Sequence, residues 1–570
     1  MNPFQTALVV GFETFTLNYD LLVNWGANLE TVPGFAESWS QSPDGLTWTF
    51  KINPDLRWSD GTPATAEDAR WTLQFMLDGL AAEIGAVGLG YLDPYIRNAS
   101  ITAVSAPDPT TLLIETDRPN QRVLQMYIPI LPKHVWQDLT PATVGDFLNE
   151  PPVVGSGPYQ AVEWKTGEFV RFARNPHWPG PELAASEVVI RIFDSADVMV
   201  TALRAGEIDY AHNVLAAHMD ALVNEPDIVT VAGIGNGFTQ LGFNTYATPI
   251  PDGGPSTLAL QDPAFRDALG YAIDKQLLID RVLGGHGTVG STNVPPFQVR
   301  WHAPPETPRT FDIELARQKL DAAGYVLDDA GNRLDREGRR LDLGLYMPED
   351  DIYPLVAEFI RDWYAQLGIR VTPQVFDSGT LIEMMLPPEA GEGYLADFDL
   401  FIWGWGGDVD PNSLLEILTC GAIGTTSDSF FCNQRYDELF ALQGLAVTDE
   451  ERKAHLAEMQ QIIYGQAPYH ILFYDAVLVA YRTDRFVGWT NQPADGVPLM
   501  AYGSFGYRQL RLAVEPPVPT PTPVPGVPAP DPAPVAEDWT PLLIGVIVVA
   551  AGVVLIMILR KRRPTGTGEG

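Results

Sequence analysis

The chain has 570 residues, 46% hydrophobic and 19% charged, a globular profile too long for one core, so two or three domains are expected. Its 36 basic and 72 acidic residues leave a net charge of −36. That excludes nucleic acid as a partner, since phosphates need a basic face, and suits a cationic or zwitterionic ligand.

Taken in order, the chain opens on Met1-Asn2-Pro3-Phe4, with neither a basic n-region nor a long apolar h-region. Residues 17–35 read as a short helix and loop. Ser42-Pro43-Asp44-Gly45 is a turn signal, and residues 46–52 alternate apolar and polar as a half-buried strand does. Thr65-Ala66-Glu67-Asp68 caps a helix running from Arg70 to Leu80. Gly285-His286-Gly287-Thr288-Val289-Gly290 matches the GxGxxG string. It follows a helix expected over 265–283 and runs into Pro295-Pro296, whereas a dinucleotide site needs a strand before it and a helix after it.

The stretch Trp403-Gly404-Trp405-Gly406-Gly407-Asp408-Val409-Asp410-Pro411 follows an apolar, strand-like run over 398–403. Glycines admit close backbone approach, indoles supply flat walls, and Asp408 supplies an anion. Together they describe a ligand wall. They also suit a strand that ends in a glycine-rich turn capped by Asp. The segment lacks the glycine and terminal Glu of a calcium loop. Asp410 is expected to cap a helix over 412–418. Cys420 and Cys432 are the only cysteines and enclose a short loop; an oxidising compartment would pair them, and a reducing one would leave two thiols. The eight histidines are scattered, so no metal site and no cofactor are expected. No GxSxG elbow, Walker loop or marked carboxylate pair argues for an enzyme.

Residues 515–538 form a Pro-rich stalk, semi-rigid at about 3.1 Å per residue. The uncharged run 541–559 is long enough, at about 1.5 Å per residue, to cross roughly 30 Å of hydrocarbon. A transmembrane helix is therefore expected over 539–560, with Trp539 at one edge and Arg560, Lys561, Arg562 and Arg563 at the other. The positive-inside rule then places the basic tail 561–570 in the cytoplasm and the rest outside a cell membrane crossed once. Such a topology needs a signal peptide, so the chain is expected to begin inside a longer sequence whose signal is missing here.

Several stretches share one resemblance. They include Ala36-Glu37-Ser38-Trp39 leading to Trp58-Ser59-Asp60-Gly61-Thr62-Pro63, and Gly155-Ser156-Gly157-Pro158-Tyr159 before Trp164, Gly167 and Arg174-Asn175-Pro176. Leu203-Arg204-Ala205-Gly206-Glu207-Ile208-Asp209, Gly242-Phe243-Asn244-Thr245 and Arg266-Asp267-Ala268-Leu269 with Tyr271-Ala272-Ile273-Asp274 follow. Ala322-Ala323-Gly324-Tyr325 and Ala467-Pro468-Tyr469 complete the set. In order and spacing, residues 1–512 resemble the solute-binding proteins of ABC importers, in the peptide/nickel group called extracellular family 5.

The resemblance implies an α/β, two-lobe, periplasmic-binding-protein-like (type II) fold over 1–514. The first lobe would be about 1–245 and 490–514, with an extra subdomain inserted at about 30–150; the second would be about 246–489. It implies an extracytoplasmic receptor that closes on a peptide by hinge motion and delivers it to an ABC permease and its ATPase subunits, held to the membrane by the C-terminal helix. In peptide-binding relatives the Asp after the Trp-containing loop takes the α-amine; the matching residue is Asp408. Trp403 and Trp405 would be walls, with Gly404, Gly406 and Gly407 giving backbone contact. Dipeptide-specific relatives hold the carboxylate with an Arg near the strand matching 341–346, and no Arg lies between 341 and 360. That favours oligopeptides over strict dipeptides, although the Cys420/Cys432 spacing resembles dipeptide binders. The competing readings are a receptor for a non-peptide solute such as an oligosaccharide or nickel chelate, an extracellular hydrolase, and a signalling ectodomain, for which the tail after Arg563 is too short.

Overall fold

The structure is a computed structural model that describes residues 1–4, 9–84, 92–246, 258–350, 352–385, 389–390, 393–394, 398–446, 448–499 and 503–513. The chain divides into two compact α/β units. One comprises Met1–Ile234, Gly444–Asp449 and the stretch from Ala476 onward; the other comprises Gly235–Gln443 and Glu450–Asp475.

The first unit is assembled from small antiparallel sheets. One has the order Ala36–Gln41, Thr47–Ile52, Thr111–Thr116, Ile101–Asp108. Its first hairpin turns where local chemistry dictates: Gly45 has φ 75°, and the Asp44 carboxylate accepts from Ser42 Oγ at 2.6 Å and Leu46 N at 3.1 Å. Trp48, Phe50 and Ile52 alternate into the core. The helix Ala66–Ala81 begins at a capping box in which Asp68 accepts from Thr65 N at 2.8 Å, and it buries Ala69, Leu73 and Met76. A second sheet joins Tyr159–Lys165, Phe169–Arg174 and Glu187–Arg191. Residues 17–35 differ from expectation. The helix Val9–Asn18 ends where one was expected to begin, and the strands Val23–Trp25 and Thr31–Pro33 pair across a turn at Gly26. Three-residue strands are too short to show a period of two.

The second unit is organised by one sheet. Its principal strands are β1 (Gly237–Phe243), β2 (Asp342–Pro348), β3 (Arg370–Phe376), β4 (Leu400–Gly406) and the start of β5 (Tyr469–Arg482, which passes into the first unit at Ala476), in the order β5-β1-β4-β2-β3. β2 runs parallel to β3 and β4, while β1 is antiparallel to β4 and β5. The helix Tyr353–Gln366 makes the β2–β3 crossover that a parallel pair requires. Alternation splits β4 between two cores. Leu400 and Ile402 pack with Leu241, Leu345, Ile360 and Tyr364 on one face. Phe401, Trp403 and Trp405 pack with Phe238, Leu414, Phe430 and Tyr436 on the other. The helix expected over 265–283 is two helices, Pro263–Gly270 and Lys275–Val282; Asp274 breaks the run by accepting from Leu277 N at 3.0 Å.

The single-pass membrane topology is corrected. No helix among the described residues is long and apolar enough to cross a membrane. The uncharged run 541–559 that prompted it lies outside the described residues, as do the stalk 515–538 and the tail 561–570. An uncharged run measures length and hydropathy but does not itself establish a helix. Among the described residues the fold class is therefore α/β with no helix that supports a membrane span, and the cell-membrane localisation built on such a helix loses its support.

Candidate functional site

Trp403, Gly404, Trp405 and Gly406 form the end of β4, opposite Gln240, Thr239, Phe238 and Gly237 of β1. The register puts both indoles on the same face, half-buried, and Gly404 on the other. A Cβ at Gly404 would come within 3.0 Å of the Tyr353 hydroxyl, so the strand runs close against that side chain. A Cβ at Gly407 would come within 2.7 Å of Leu414 Cδ1, whereas one at exposed Gly406 would meet nothing within 4 Å.

After the strand, the backbone is pinned. Gly407 N donates to Asn236 O at 2.5 Å. The Asp408 carbonyl accepts from Asn236 Nδ2 at 2.8 Å and from buried Gln298 Nε2 at 2.6 Å. Asp408 is half-buried, and its Oδ1 accepts from Val409 N at 2.8 Å. Asp410, two positions on, is buried in a two-armed ion pair with buried Arg452, at 2.6 and 2.9 Å, and accepts from Asn412 N at 3.0 Å. Arg452 also donates to Gln443 Oε1 at 3.0 Å and lies 4.6 Å from the Trp301 ring centroid.

Two further carboxylates at this end of the sheet escaped the sequence reading. Asp428 is buried beside the Trp405 indole; its Oδ2 accepts from Trp405 Nε1 at 2.9 Å, and its Oδ1 accepts from the Tyr469 hydroxyl. Burial pushes its carboxyl up to about 6 against those hydrogen bonds. It lies in the loop closed by a Cys420–Cys432 disulfide. Its one signal in the sequence is that it is the only charged residue between the two cysteines. Asp475 is half-buried on the Gly404 face, where Thr239 Oγ1 donates to it at 3.1 Å. Burial pushes Asp475 up to about 6; Thr239 opposes the shift, and the nearby Asp350 charge adds to it. Asp475 left no local signal, because strand pairing alone brings it beside Thr239.

The arrangement combines aromatic walls, bare backbone and carboxylates, which suits a cationic or zwitterionic ligand. Among the described residues, no group of three or more His, Cys, Asp or Glu is placed to hold a metal ion.

The family described as bacterial extracellular solute-binding proteins, family 5 Middle, matches residues 30–424. The di/tripeptide-binding protein 1 of Pseudomonas aeruginosa is 26% identical over 460 residues, covering 77% of this chain and 80% of that protein. Among solved structures, the oligopeptide-binding protein AppA from Bacillus subtilis, in complex with a nonapeptide, has a TM-score of 0.68 at 19% identity, covering 90% of this chain and 96% of that one. NikZ from Campylobacter jejuni, in complex with Ni(L-His), has a TM-score of 0.67 at 19% identity, covering 87% and 94%. These two likenesses carry the fold alone, which is the two-lobe α/β periplasmic-binding-protein fold.

Proposed function

The chain belongs to the bacterial extracellular solute-binding proteins of family 5, a group that binds solutes for ABC transporters without transforming them, and on that basis we propose that it captures oligopeptides for an ABC permease and its ATPase subunits. Asp408 takes the N-terminal ammonium, Trp403 and Trp405 line the side-chain wall, and Gly404, Gly406 and Gly407 offer backbone. One observation supports this reading above others: the Asp408 carbonyl is pinned by Asn236 and Gln298 directly beyond two half-buried indoles. A peptide ammonium buried without a partner is costly, so a carboxylate carried on a pinned backbone is the group to look for. Asp410 cannot serve, because Arg452 holds both its oxygens. Asp408 is the other carboxylate of the loop.

The ligand's far end supports oligopeptides over strict dipeptides. Residues 341–360 contain no basic side chain, so β2 supplies no guanidinium for a dipeptide carboxylate. The first test is the mass of the purified protein under gentle conditions. A heterogeneous added mass that fragments into peptides of several residues is expected. A single defined mass of a sugar or a nickel chelate would overturn the peptide reading. Asp408→Ala is expected to weaken peptide binding by about 30-fold or more, the cost of removing one partner of a largely desolvated charge pair. Unchanged affinity would remove Asp408 from the site.

A further inference from the structure

Trp405 is the residue in the wall whose orientation is set by a buried charge. Its only polar atom, Nε1, donates to Asp428 Oδ2 at 2.9 Å. The other donors to this carboxylate are the Tyr469 hydroxyl on Oδ1 and Gln240 Nε2, at 3.5 Å from Oδ2. Tyr469 is on β5, Gln240 on β1 and Trp405 on β4, which are three successive strands of the sheet. Asp428 itself comes from outside the sheet, on the loop closed by Cys420–Cys432. An indole held at its N–H cannot turn over without breaking that bond and leaving the buried Asp428 Oδ2 with only the long Gln240 contact at 3.5 Å. The anchor is therefore stiffer than packing alone provides, and packing at Trp405 is incomplete, since the ring is half-buried.

We propose that Asp428 is a positioning residue for the ligand wall: it fixes the face that Trp405 presents, and the Cys420–Cys432 loop carries it there. The inference rests on the reading of Trp405 as a wall. It assigns work to two features which that reading leaves unused, the disulfide loop and the Ala467-Pro468-Tyr469 stretch.

The test uses the whole chain with 5-fluorotryptophan incorporated and a tryptic digest of casein as the peptide source. The Trp405 fluorine resonance is assigned by its loss in Trp405→Phe. In Asp428→Leu, that resonance is expected to shift in the peptide-free protein, while those of Trp25 and Trp136 in the first unit stay in place. Peptide bound at fixed concentration is expected to fall about tenfold, the scale of a lost hydrogen bond to a charged group. Asp428→Asn keeps an acceptor of the same size, so it covers the case in which Asp428→Leu does not fold; it is expected to recover most of the binding with a smaller shift. In the Trp405→Phe background, which has a ring but no N–H, Asp428→Leu is expected to have no further effect. An unmoved Trp405 resonance, or losses that simply multiply in the double variant, would overturn the anchoring. Binding that survives both Asp408→Ala and Trp405→Ala would overturn the wall reading itself, and the proposal with it. Binding abolished by Trp405→Ala but untouched by Asp428→Leu would sink the anchoring alone.

Discussion

Asp410 and Asp428 are both buried aspartates on loops of the second unit, yet their charges are met in opposite ways. Asp410 has a cation: Arg452 reaches it with two nitrogens and is itself fixed by Gln443 and Trp301. Asp428 has neutral donors, an indole, a phenol and an amide, and its carboxyl is pushed up to about 6 by burial. A paired charge of the first kind is complete and holds two segments together. A carboxylate of the second kind keeps a titratable proton, and it orients the groups that donate to it. Buried charge by itself therefore does not mark function; the nature of the partner does.

The comparison breaks most visibly at Arg452. Arg452→Met leaves Asp410 buried without a cation, and removing one partner of such a pair is expected to cost about 3–5 kcal/mol. The double variant Asp410→Leu/Arg452→Met is expected to recover most of that, because an apolar pair of similar volume replaces both charges. Urea unfolding of the single and double variants checks this. A single-variant loss below about 1 kcal/mol would mean that the pair is effectively solvated.

Asp428 sharpens the contrast through pH. Its folded carboxyl titrates near 6, above the ordinary 3.8. Below 3.8 both folded and unfolded states hold the proton. Between 3.8 and about 6 the unfolded chain releases it and the folded one retains it, so stability falls as pH rises. The loss is complete above about 6 and amounts to about 3 kcal/mol from this group. Asp428→Asn has no such proton, so its stability relative to the wild type is expected to improve by about that amount between pH 4 and pH 7. A difference that stays flat over this range would show that the carboxyl titrates normally.

These two aspartates also show what the sequence could reveal. Local chemistry was legible: the Ser42–Gly45 turn, the Thr65/Asp68 cap and the alternation through Trp48 and Phe50 are written within a few residues of where they act. So was the order of motifs that carried the family and the α/β class. The loop 403–411 announced itself by its glycines and indoles. What surrounds it did not. Arg452 is 42 residues from Asp410, and Tyr469 is 41 from Asp428. No local pattern encodes such partners; strand order and helix packing bring them together. The break at Asp274 was missed because a capping Asp inside an apolar period reads as a tolerated polar residue until its hydrogen bond is seen. The run 541–559 lies outside the described residues, and no described helix supports the membrane span read from its hydropathy.

The smallest expected effect tests whether exposure, rather than charge, separates structural pairs from incidental ones. Glu67 in the first unit accepts from Arg70 at 2.6 Å and from Lys133 at 2.7 Å, distances as short as those at Asp410. Hydrogen bonding from Arg70 and then Lys133 holds its carboxyl down at about 2. Glu67 is 39% exposed, however, so water screens the attraction that geometry alone would suggest. Because the folded carboxyl lies below the ordinary 4.5, its contribution is present above that pH and disappears as pH falls through about 2. Glu67→Gln is expected to cost no more than about 1 kcal/mol at pH 7, and less in 1 M salt, where the screening length is about 3 Å. The Arg452→Met cost is expected to survive the same salt, since its pair is buried. Denaturation of both variants at low and high salt decides the matter: equal salt sensitivity would mean that burial is not what distinguishes Asp410 from Glu67, and the contrast with Asp428 would then need another cause.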